Sequence, residues 1–283
     1  MKLVDITKAF QNARKYTKDI NETDCLNAIQ KLKLSNYKDI PSIPLNKVKE
    51  LFVQLLGDGF HLDDTKFKEV QDFLSNCTLK KMVDERLLAK VLRYLLRKDS
   101  TKKVALLIVD VQNDFISGSL ALKHSPACED GVDVVPVINQ MVQMKFHFFV
   151  YTMDWHPQDH ISFITNVSRY FEIKADNSMR LLKGTDPKVD SYSAFWDNNH
   201  THQTKLFSEL VDRDITDIVV CGLATDICVK FTSIDGQKHG FNTTVVLDAC
   251  RGVAHEGIET ARCEQQACGI KIIVSSEVSS LLA

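Results

Sequence analysis

The sequence predicts a doubly wound α/β protein, a parallel sheet with helices on both faces, preceded by a small all-helical domain. Three observations lead to this prediction. Apolar strand-like runs alternate with helical stretches from residue 101 onward, whereas residues 1–100 show only helical patterns. Nine of the eleven glycines lie after residue 103. Residues 1–103 carry a net charge of +7 and the remainder −9, which indicates two differently built domains, 1–100 and 101–283.

The first hundred residues are predicted to form amphipathic helices. Apolar residues recur at spacings of three and four in the segments 48–56, 67–74 and 85–96. Pro41 and Pro44 interrupt the chain ahead of the first of these segments. Helices joined by loops in this way indicate an EF-hand-like arrangement.

The calcium-binding pattern of an EF-hand fails in this sequence. In the best-matching stretch Asp24 occupies the position that requires glycine, and Gln30 occupies the position of the bidentate glutamate. The stretch around GDGFHLDD fits no better. We therefore expect a degenerate module that packs or docks and binds no calcium.

Five apolar runs after residue 101 predict the buried strands of a parallel sheet: KKVALLIVDV, HFFVYTMD, TDIVVCGL, NTTVVLDA and IKIIVS. Four helical stretches lie between them: VVPVINQMVQM, TKLFSELVDR, DICVKFTSIDGQKHG and GIETARCEQQ. In such sheets ligands bind at the carboxyl ends of the strands. That rule directs attention to the residues that follow each run.

Two of the predicted strands end in polar residues that could carry chemistry. Asp110 ends the first run, where a carboxylate could act as a base or could simply cap a neighbouring helix. Asp154, His156 and His160 follow the second run. An Asp-x-His pair supplies ligand types that bind divalent metals, although so short a pattern also occurs by chance.

Cys228 is the one cysteine of the eight that is predicted to be reactive. The cysteines are scattered and form no CxxC pair, so most are expected to be buried thiols. The run IVVCGLATDICV passes from strand through a turn into a helix that begins near Thr225 or Asp226. Cys228 would lie in the first turn of this helix, where N–H groups and the helix dipole favour a thiolate and can stabilise an oxyanion.

Four motifs in this order carry a family resemblance: LLIVDVQNDF with GSLAL, YTMDWHPQDHISF, KGTDPKVDSYSAF and CGLATDICVKFTSIDG. Together they resemble the nicotinamidases of the isochorismatase-like cysteine hydrolase superfamily over nearly all of residues 103–275. The N-terminal helices resemble, more weakly, the degenerate EF-hand-like extension of some animal nicotinamidases. The resemblance implies an amidohydrolase of NAD salvage that converts nicotinamide to nicotinic acid and ammonia.

The resemblance also implies a role for particular residues. Cys228 would be the nucleophile that forms a thioester, Asp110 the general base, and Lys183 the cation that balances their charge. The backbone N–H groups of Ala224 and Cys228 would form the oxyanion hole, with a cis peptide expected before Ala224. Phe115 would line the pocket for the substrate ring. Chemistry supports the trio independently, because amide hydrolysis needs a nucleophile, a base and an oxyanion site.

A divalent metal held by Asp154 and His156, which fixes the pyridine nitrogen, is a further implication of the resemblance. The family carries a Trp-Pro-x-His-Cys-Val segment, with another metal ligand and a stacking tryptophan, that this chain lacks between HISF and KGTDP. We predict that His160 substitutes as third ligand and that a zinc-, iron- or manganese-like ion is weakly bound. Two alternatives stay open: a binding or regulatory protein, and an amidase that hydrolyses another small amide without metal.

The composition limits the partners. The formal net charge is −2, which favours neither nucleic acid nor an anionic membrane as partner. No apolar run is long enough to span a bilayer, and the N-terminus has no apolar signal region. We predict a cytoplasmic protein, with a nuclear share left open, that acts on a small-molecule amide. A homo-oligomer also stays open.

Overall fold

The computed structural model describes residues 22–36, 42–44, 48–56, 64–76, 82–96, 101–157 and 177–283. These residues form two compact units. The larger comprises Lys103–Phe207, Asp217–Gln237 and Asn242–Ala283. The smaller comprises the described residues up to Lys102 together with Ser208–Thr216 and Lys238–Phe241. Within the described residues, every helix is too short or too polar to cross a membrane.

The smaller unit contains four helices of the first hundred residues: α1 (Glu22–Asn36), α2 (Val48–Leu56), α3 (Asp64–Asn76) and α4 (Glu85–Leu96). Two short strands, β1 (Ser42–Pro44) and β2 (Met82–Asp84), pair antiparallel. The expected helices are present, but the all-helical description missed this ladder, because three-residue strands are too short to show an alternating pattern. Asp24 and Gln30 both lie inside α1, so that stretch forms helix where a calcium loop would be needed.

Helix α4 buries an apolar stripe and uses its polar residues within the same unit. Lys90 Nζ pairs with Asp212 Oδ2, and Arg93 Nη2 donates to the Asp212 carbonyl oxygen (3.2 Å). The Tyr94 side chain is fully buried, and its hydroxyl donates to the carbonyl oxygen of Ile215 (2.8 Å). Arg93 also contacts the Val211 carbonyl oxygen (2.9 Å) and Asp214 (3.1 Å), so the Ser208–Thr216 stretch depends on α4 for these five polar contacts.

The larger unit is built on a six-stranded sheet in which every pair is parallel. The strand order is β5-β4-β3-β6-β7-β8. The chain winds outward in one direction from β3 and then crosses back to β6, so the switch point lies between these two central strands. This confirms the predicted doubly wound fold. The strands are β3 (Val104–Val109), β4 (Phe148–Asp154), β5 (Ser178–Lys183), β6 (Asp217–Leu223), β7 (Asn242–Arg251) and β8 (Lys271–Ile273).

The helices of the larger unit follow the predicted alternation and cover both faces of the sheet. A five-residue π-helical turn, Thr225–Val229, joins β6 to the helix that follows it. The α-helices of the larger unit are α5 (Asn113–Ile116), α6 (Val134–Val142), α8 (Lys230–Lys238), α9 (His255–Ala267) and α10 (Val278–Leu281). Helix α7 (Leu206–Asp212) begins in the larger unit and continues into the Ser208–Thr216 stretch of the smaller one.

Strand β5 is the strand that the sequence analysis missed. It occupies one edge of the sheet, where Leu181 and Lys183 are buried while Arg180 and Leu182 face outward and are exposed. Its sequence, SMRLLK, lacks the continuous apolar character of the central strands, because a strand that is covered on one side only does not need apolar residues on its other side. Its register places Lys183 directly beside Asp154 at the end of β4.

Gly222 brings the two central strands together near their carboxyl ends. Its φ is +130°, and a Cβ at this position would lie 2.1 Å from the carbonyl oxygen of Val109. Only glycine tolerates both the backbone conformation and this approach. The close contact sets the segment after β6 beside the segment after β3.

Candidate active site

Three neighbouring strands deliver charged side chains to one edge of the sheet. Asp110 follows β3, Asp154 is the last residue of β4, and Lys183 is the last residue of β5. Because the strands are parallel, their carboxyl ends meet. The structure therefore brings together Asp110 and Lys183, which are 73 positions apart in the sequence.

Asp110 is held in a left-handed backbone conformation (φ 51°) and is 1% exposed. Asparagine and aspartate tolerate this conformation better than most residues. Thr152 of β4 fixes it twice: the threonine Oγ1 accepts the Asp110 N–H (3.1 Å) and donates to Asp110 Oδ1 (2.6 Å). One carboxylate oxygen is thereby oriented by the sheet, and Oδ2 lies 2.9 Å from Lys183 Nζ.

Lys183 is a fully buried cation surrounded by oxygen atoms. Beyond its ion pair with Asp110, its Nζ donates to Asp154 Oδ1 (3.0 Å) and to the Ser191 carbonyl oxygen (2.8 Å). Burial alone would lower the pKa of this ammonium. The charges of Asp110 and Asp154 oppose the effect of burial, and the pKa is raised well above its ordinary value. Lys183 is thus a permanent positive charge in the site.

Cys228 lies in the π-helical turn that follows β6, as the sequence predicted for the start of this helix. Its Sγ is 3.6 Å from Lys183 Nζ. The start of the helix was expected to favour a thiolate, but burial of the sulfur opposes this effect. Burial raises the pKa of the thiol well above its usual range, and although Lys183 opposes the shift, Asp110 and Asp154 add to it. The resting sulfur therefore carries its proton next to a carboxylate that can accept it.

Ala224 makes the turn between β6 and the π-helical segment with a positive φ of 59°. Its carbonyl oxygen accepts the N–H groups of Ile227 (3.0 Å) and Val229 (3.1 Å), which closes the turn. The resemblance implied a cis peptide before Ala224, but no cis peptide occurs among the described residues. The left-handed residue reverses the chain direction instead.

Asp154, His156 and Asp190 form a cluster whose potential ligand atoms all lie within 4.8 Å of one another. His156 Nε2 is 3.0 Å from Asp154 Oδ2 and 3.7 Å from Asp190 Oδ1. The other ring nitrogen, Nδ1, lies 2.8 Å from the Gly184 carbonyl oxygen, and a proton on Nδ1 leaves the Nε2 lone pair free for a metal. Two carboxylates and one imidazole are a donor set that suits a divalent metal, so these residues fit such an ion.

The pKa values of this cluster reflect the same contacts. Burial would lower the pKa of His156, but the hydrogen bond and charge of Asp154 raise it. Burial would raise the pKa of Asp154, but His156 and Lys183 lower it. The contacts between the two side chains thus favour the protonated imidazole and the ionised carboxylate.

His160 lies outside the described residues, so its prediction as third metal ligand stays a prediction. Asp190 was not predicted as a ligand, although it stands in the quoted motif KGTDPKVDSYSAF, seven residues after Lys183. Its signal was weak because a carboxylate in a loop is usually solvated. Within the part of the chain that the structure describes, Asp190 is the residue that brings a third donor atom to Asp154 and His156.

Gln112 was also missed, and it positions Asp154. Its side-chain Oε1 accepts the Asp154 N–H (2.7 Å) and its Nε2 donates to the Asp154 carbonyl oxygen (3.3 Å). These bonds extend the β3–β4 pairing past Asp110, where the left-handed residue interrupts the strand. Phe115, predicted for the ring pocket, is the third residue of the short helix α5 and is partly exposed.

Comparison with known proteins supports the family and the fold. The sequence profile of the isochorismatase domain matches residues 104–277. A nicotinamidase of Escherichia coli is 34% identical over 182 residues, which cover 53% of this chain and 83% of the relative. A nicotinamidase of Acinetobacter baylyi is 32% identical over 217 residues, 65% of this chain and 98% of the relative.

Solved structures agree with the sequence comparison. An Acinetobacter baumanii nicotinamidase pyrazinamidase superposes with a TM-score of 0.56 and 31% identity, covering 64% of this chain and all of that chain. A pyrazinamidase of Pyrococcus horikoshii in complex with zinc superposes with a TM-score of 0.52 and 30% identity, covering 61% of this chain and 99% of that chain. The profile match begins at residue 104, after the helices α1 to α4.

Proposed function

The chain belongs to the isochorismatase family, and on that premise we propose that it is a nicotinamidase, which hydrolyses nicotinamide to nicotinic acid and ammonia through a cysteine thioester. One observation carries the proposal. The buried Lys183 ammonium lies 2.9 Å from the Asp110 carboxylate and 3.6 Å from the Cys228 sulfur. A nucleophile, a base and a fixed cation are thus in contact. The choice of nicotinamide as substrate is supported by the relatives at 32–34% identity, which are nicotinamidases.

The first half of the reaction starts from the protonated Cys228. Asp110 accepts the thiol proton as the sulfur attacks the amide carbon, and Lys183 compensates the negative charge that remains on the pair. The backbone N–H groups of Ala224 and Cys228 receive the developing oxyanion. Asp110 then returns the proton to the departing nitrogen, so that ammonia leaves and a thioester remains on Cys228.

The second half repeats the proton transfers with water. Asp110 takes a proton from the water that attacks the thioester, and the Cys228 sulfur departs and regains a proton. The products are nicotinic acid and ammonia, with one water consumed. Phe115 contributes an apolar surface for the ring, and Lys183 keeps its proton throughout because its pKa is raised well above the usual value.

A divalent metal fits the cluster of Asp154, His156 and Asp190, and these residues would hold it. When bound, the ion supplies a positive point that fixes the pyridine nitrogen, directly or through water. Gln112 keeps Asp154 in place from the backbone side, and the Gly184 carbonyl orients the His156 ring. Orientation of the substrate by this cluster would hold the amide against Cys228.

Ammonia release from nicotinamide by the purified protein tests the proposal. We expect turnover that rises on adding zinc, iron or manganese and that disappears in Cys228→Ser, which retains the fold. Full activity after chelation would favour the metal-free amidase. Absence of turnover with every metal would contradict the proposal and leave a binding or regulatory protein as the better interpretation.

For the smaller unit we propose a degenerate EF-hand-like module. Helices α1 and α2 flank β1, helices α3 and α4 flank β2, and the two strands pair. Two helix–loop–helix units placed side by side would give this arrangement. The module would include two segments beyond the predicted domain of residues 1–100, namely Ser208–Thr216 and Lys238–Phe241.

A further inference from the structure

Asp226 lies two residues before Cys228 in the π-helical turn and is only 9% exposed. Both of its carboxylate oxygens are used by another segment of the chain. Oδ1 accepts the N–H of Val253 (2.9 Å) and Oδ2 accepts the N–H of Ala254 (3.0 Å). Ala254 is the N-cap of α9, so the carboxylate also faces the positive end of a thirteen-residue helix.

The segment Gly252–Ala254 is held from its other side as well. Glu129 accepts the Gly252 N–H, and the Ala127 N–H donates to the Val253 carbonyl oxygen (2.9 Å). Gly131 in the same loop packs against the backbone of Phe115, since a Cβ at Gly131 would lie 3.0 Å from the Phe115 carbonyl oxygen. Gly252–Ala254 therefore links the turn that carries Cys228 to the loop beside Phe115.

The Asp226 carboxylate occupies a closely fitted position. A Cβ added at Gly257, in the first turn of α9, would lie 2.6 Å from Asp226 Oδ2. A Cβ added at Gly252 would lie 3.1 Å from Asp226 Oδ1. Such contacts leave the carboxylate little freedom to move, and they fix the adjoining turn with it.

We propose that Asp226 is a positioning residue, which sets the Cys228 sulfur against Asp110 and Lys183 by anchoring the π-helical turn to the start of α9. The proposal rests on the proposed function. A π-helical turn is rarely stable by itself and needs such support. Because a displacement of about 1 Å at a reacting atom costs roughly 100-fold in rate, loss of the anchor acts on the chemical step. Substrate binding by Phe115 and the metal cluster would persist.

Asp226→Asn removes the charge and turns one acceptor into a donor that faces an N–H group. We expect kcat for nicotinamide to fall about 10- to 100-fold, while KM changes less than about 2-fold. Asp248→Asn is the matched control. Asp248 also accepts two bonds at the start of a helical turn, from the N–H (2.8 Å) and Oγ (2.6 Å) of Ser275, but it does not adjoin Cys228. A similar loss of kcat in both variants would mean a general structural effect and would overturn the proposal.

Gly257→Ala offers a second variant that keeps the carboxylate and displaces it. Alanine favours helix, so α9 itself should gain stability, whereas kcat should fall as it does in Asp226→Asn. Normal kcat in both Asp226→Asn and Gly257→Ala would contradict the proposed role of Asp226.

Alkylation of Cys228 by iodoacetamide separates this proposal from the proposed function, because it needs no turnover. The exposed thiols Cys128 and Cys268 serve as internal references. Alkylation of Cys228 relative to these references should slow at least about 3-fold in Asp226→Asn and Gly257→Ala, and not in Asp248→Asn. An unchanged ratio would overturn the proposal. A changed ratio in a protein without nicotinamidase activity would uphold the positioning role while refuting the substrate.

Discussion

Lys183 is the residue on which the charges of the site converge. Its ammonium group lies within 3.0 Å of carboxylate oxygens from two different strands and is entirely shielded from water. A buried pair of this kind contributes little net stability when complete, because the desolvation of both charges offsets their attraction. Loss of one partner is costly, since it leaves the other charge buried and uncompensated.

Replacement of Lys183 tests this balance. Lys183→Met should abolish turnover and lower the free energy of unfolding by about 3–5 kcal/mol. The double variant Lys183→Met/Asp110→Asn should regain part of that stability, because it no longer contains the uncompensated Asp110 carboxylate. It should remain inactive. Urea denaturation monitored by circular dichroism measures both.

Arg262→Met serves as the control for that experiment, since Arg262 and Glu259 form an exposed pair on α9. Its loss should cost less than about 1 kcal/mol. If Lys183→Met were no more costly than Arg262→Met, or kept its turnover, the assigned role of Lys183 would be wrong.

At the scale of the elements, sequence patterns predicted the strands and helices whose burial is continuous. β3 is apolar throughout and buried throughout, and it was predicted without difficulty. β5 was missed because half of its side chains face outward, although it delivers Lys183. Cys228 could be placed because a strand, a turn and a helix follow one another in sequence. Asp190, Gln112 and Thr152 could not, since their roles depend on contacts across strands.

The loop after β5 gives the prediction for the metal. Asp190→Asn should weaken zinc or manganese binding at least about 10-fold, measured by isothermal titration calorimetry. Asp186→Asn is the control: Asp186 lies in the same loop, where its Oδ1 accepts the N–H of Lys188 (2.9 Å). Its metal affinity should be unchanged. Weakened binding in His160→Ala with normal binding in Asp190→Asn would instead support the sequence-based prediction of His160.

At the scale of the whole molecule, the boundary near residue 100 is a prediction that proteolysis can test. The polar stretch 97–103 should be cut by a protease at low concentration. We expect both fragments to stay associated in gel filtration, because Lys90, Arg93 and Tyr94 bond to Asp212 and Ile215. High salt should weaken the association, given net charges of +7 and −9.

A chain that begins at Lys102 should melt at a lower temperature than the intact protein, because it lacks the partners of Asp212 and Ile215. Tyr94→Phe in the intact chain should lower the free energy of unfolding by about 1 kcal/mol through the lost hydrogen bond. An unchanged melting temperature of the shortened chain would show that residues 101–283 need nothing from the helices.

The edge position of β5 has a consequence for how activity is lost on heating. Among the described strands β5 pairs with β4 alone, yet it carries Lys183 and leads into Asp190. Strands at a margin open locally at a lower free energy than the centre of a sheet. The amides of 178–183 should therefore exchange with deuterium faster than those of 104–109. Thermal inactivation should precede the global melting transition. The protein would then lose activity through local unfolding of β5 while the central strands are still folded.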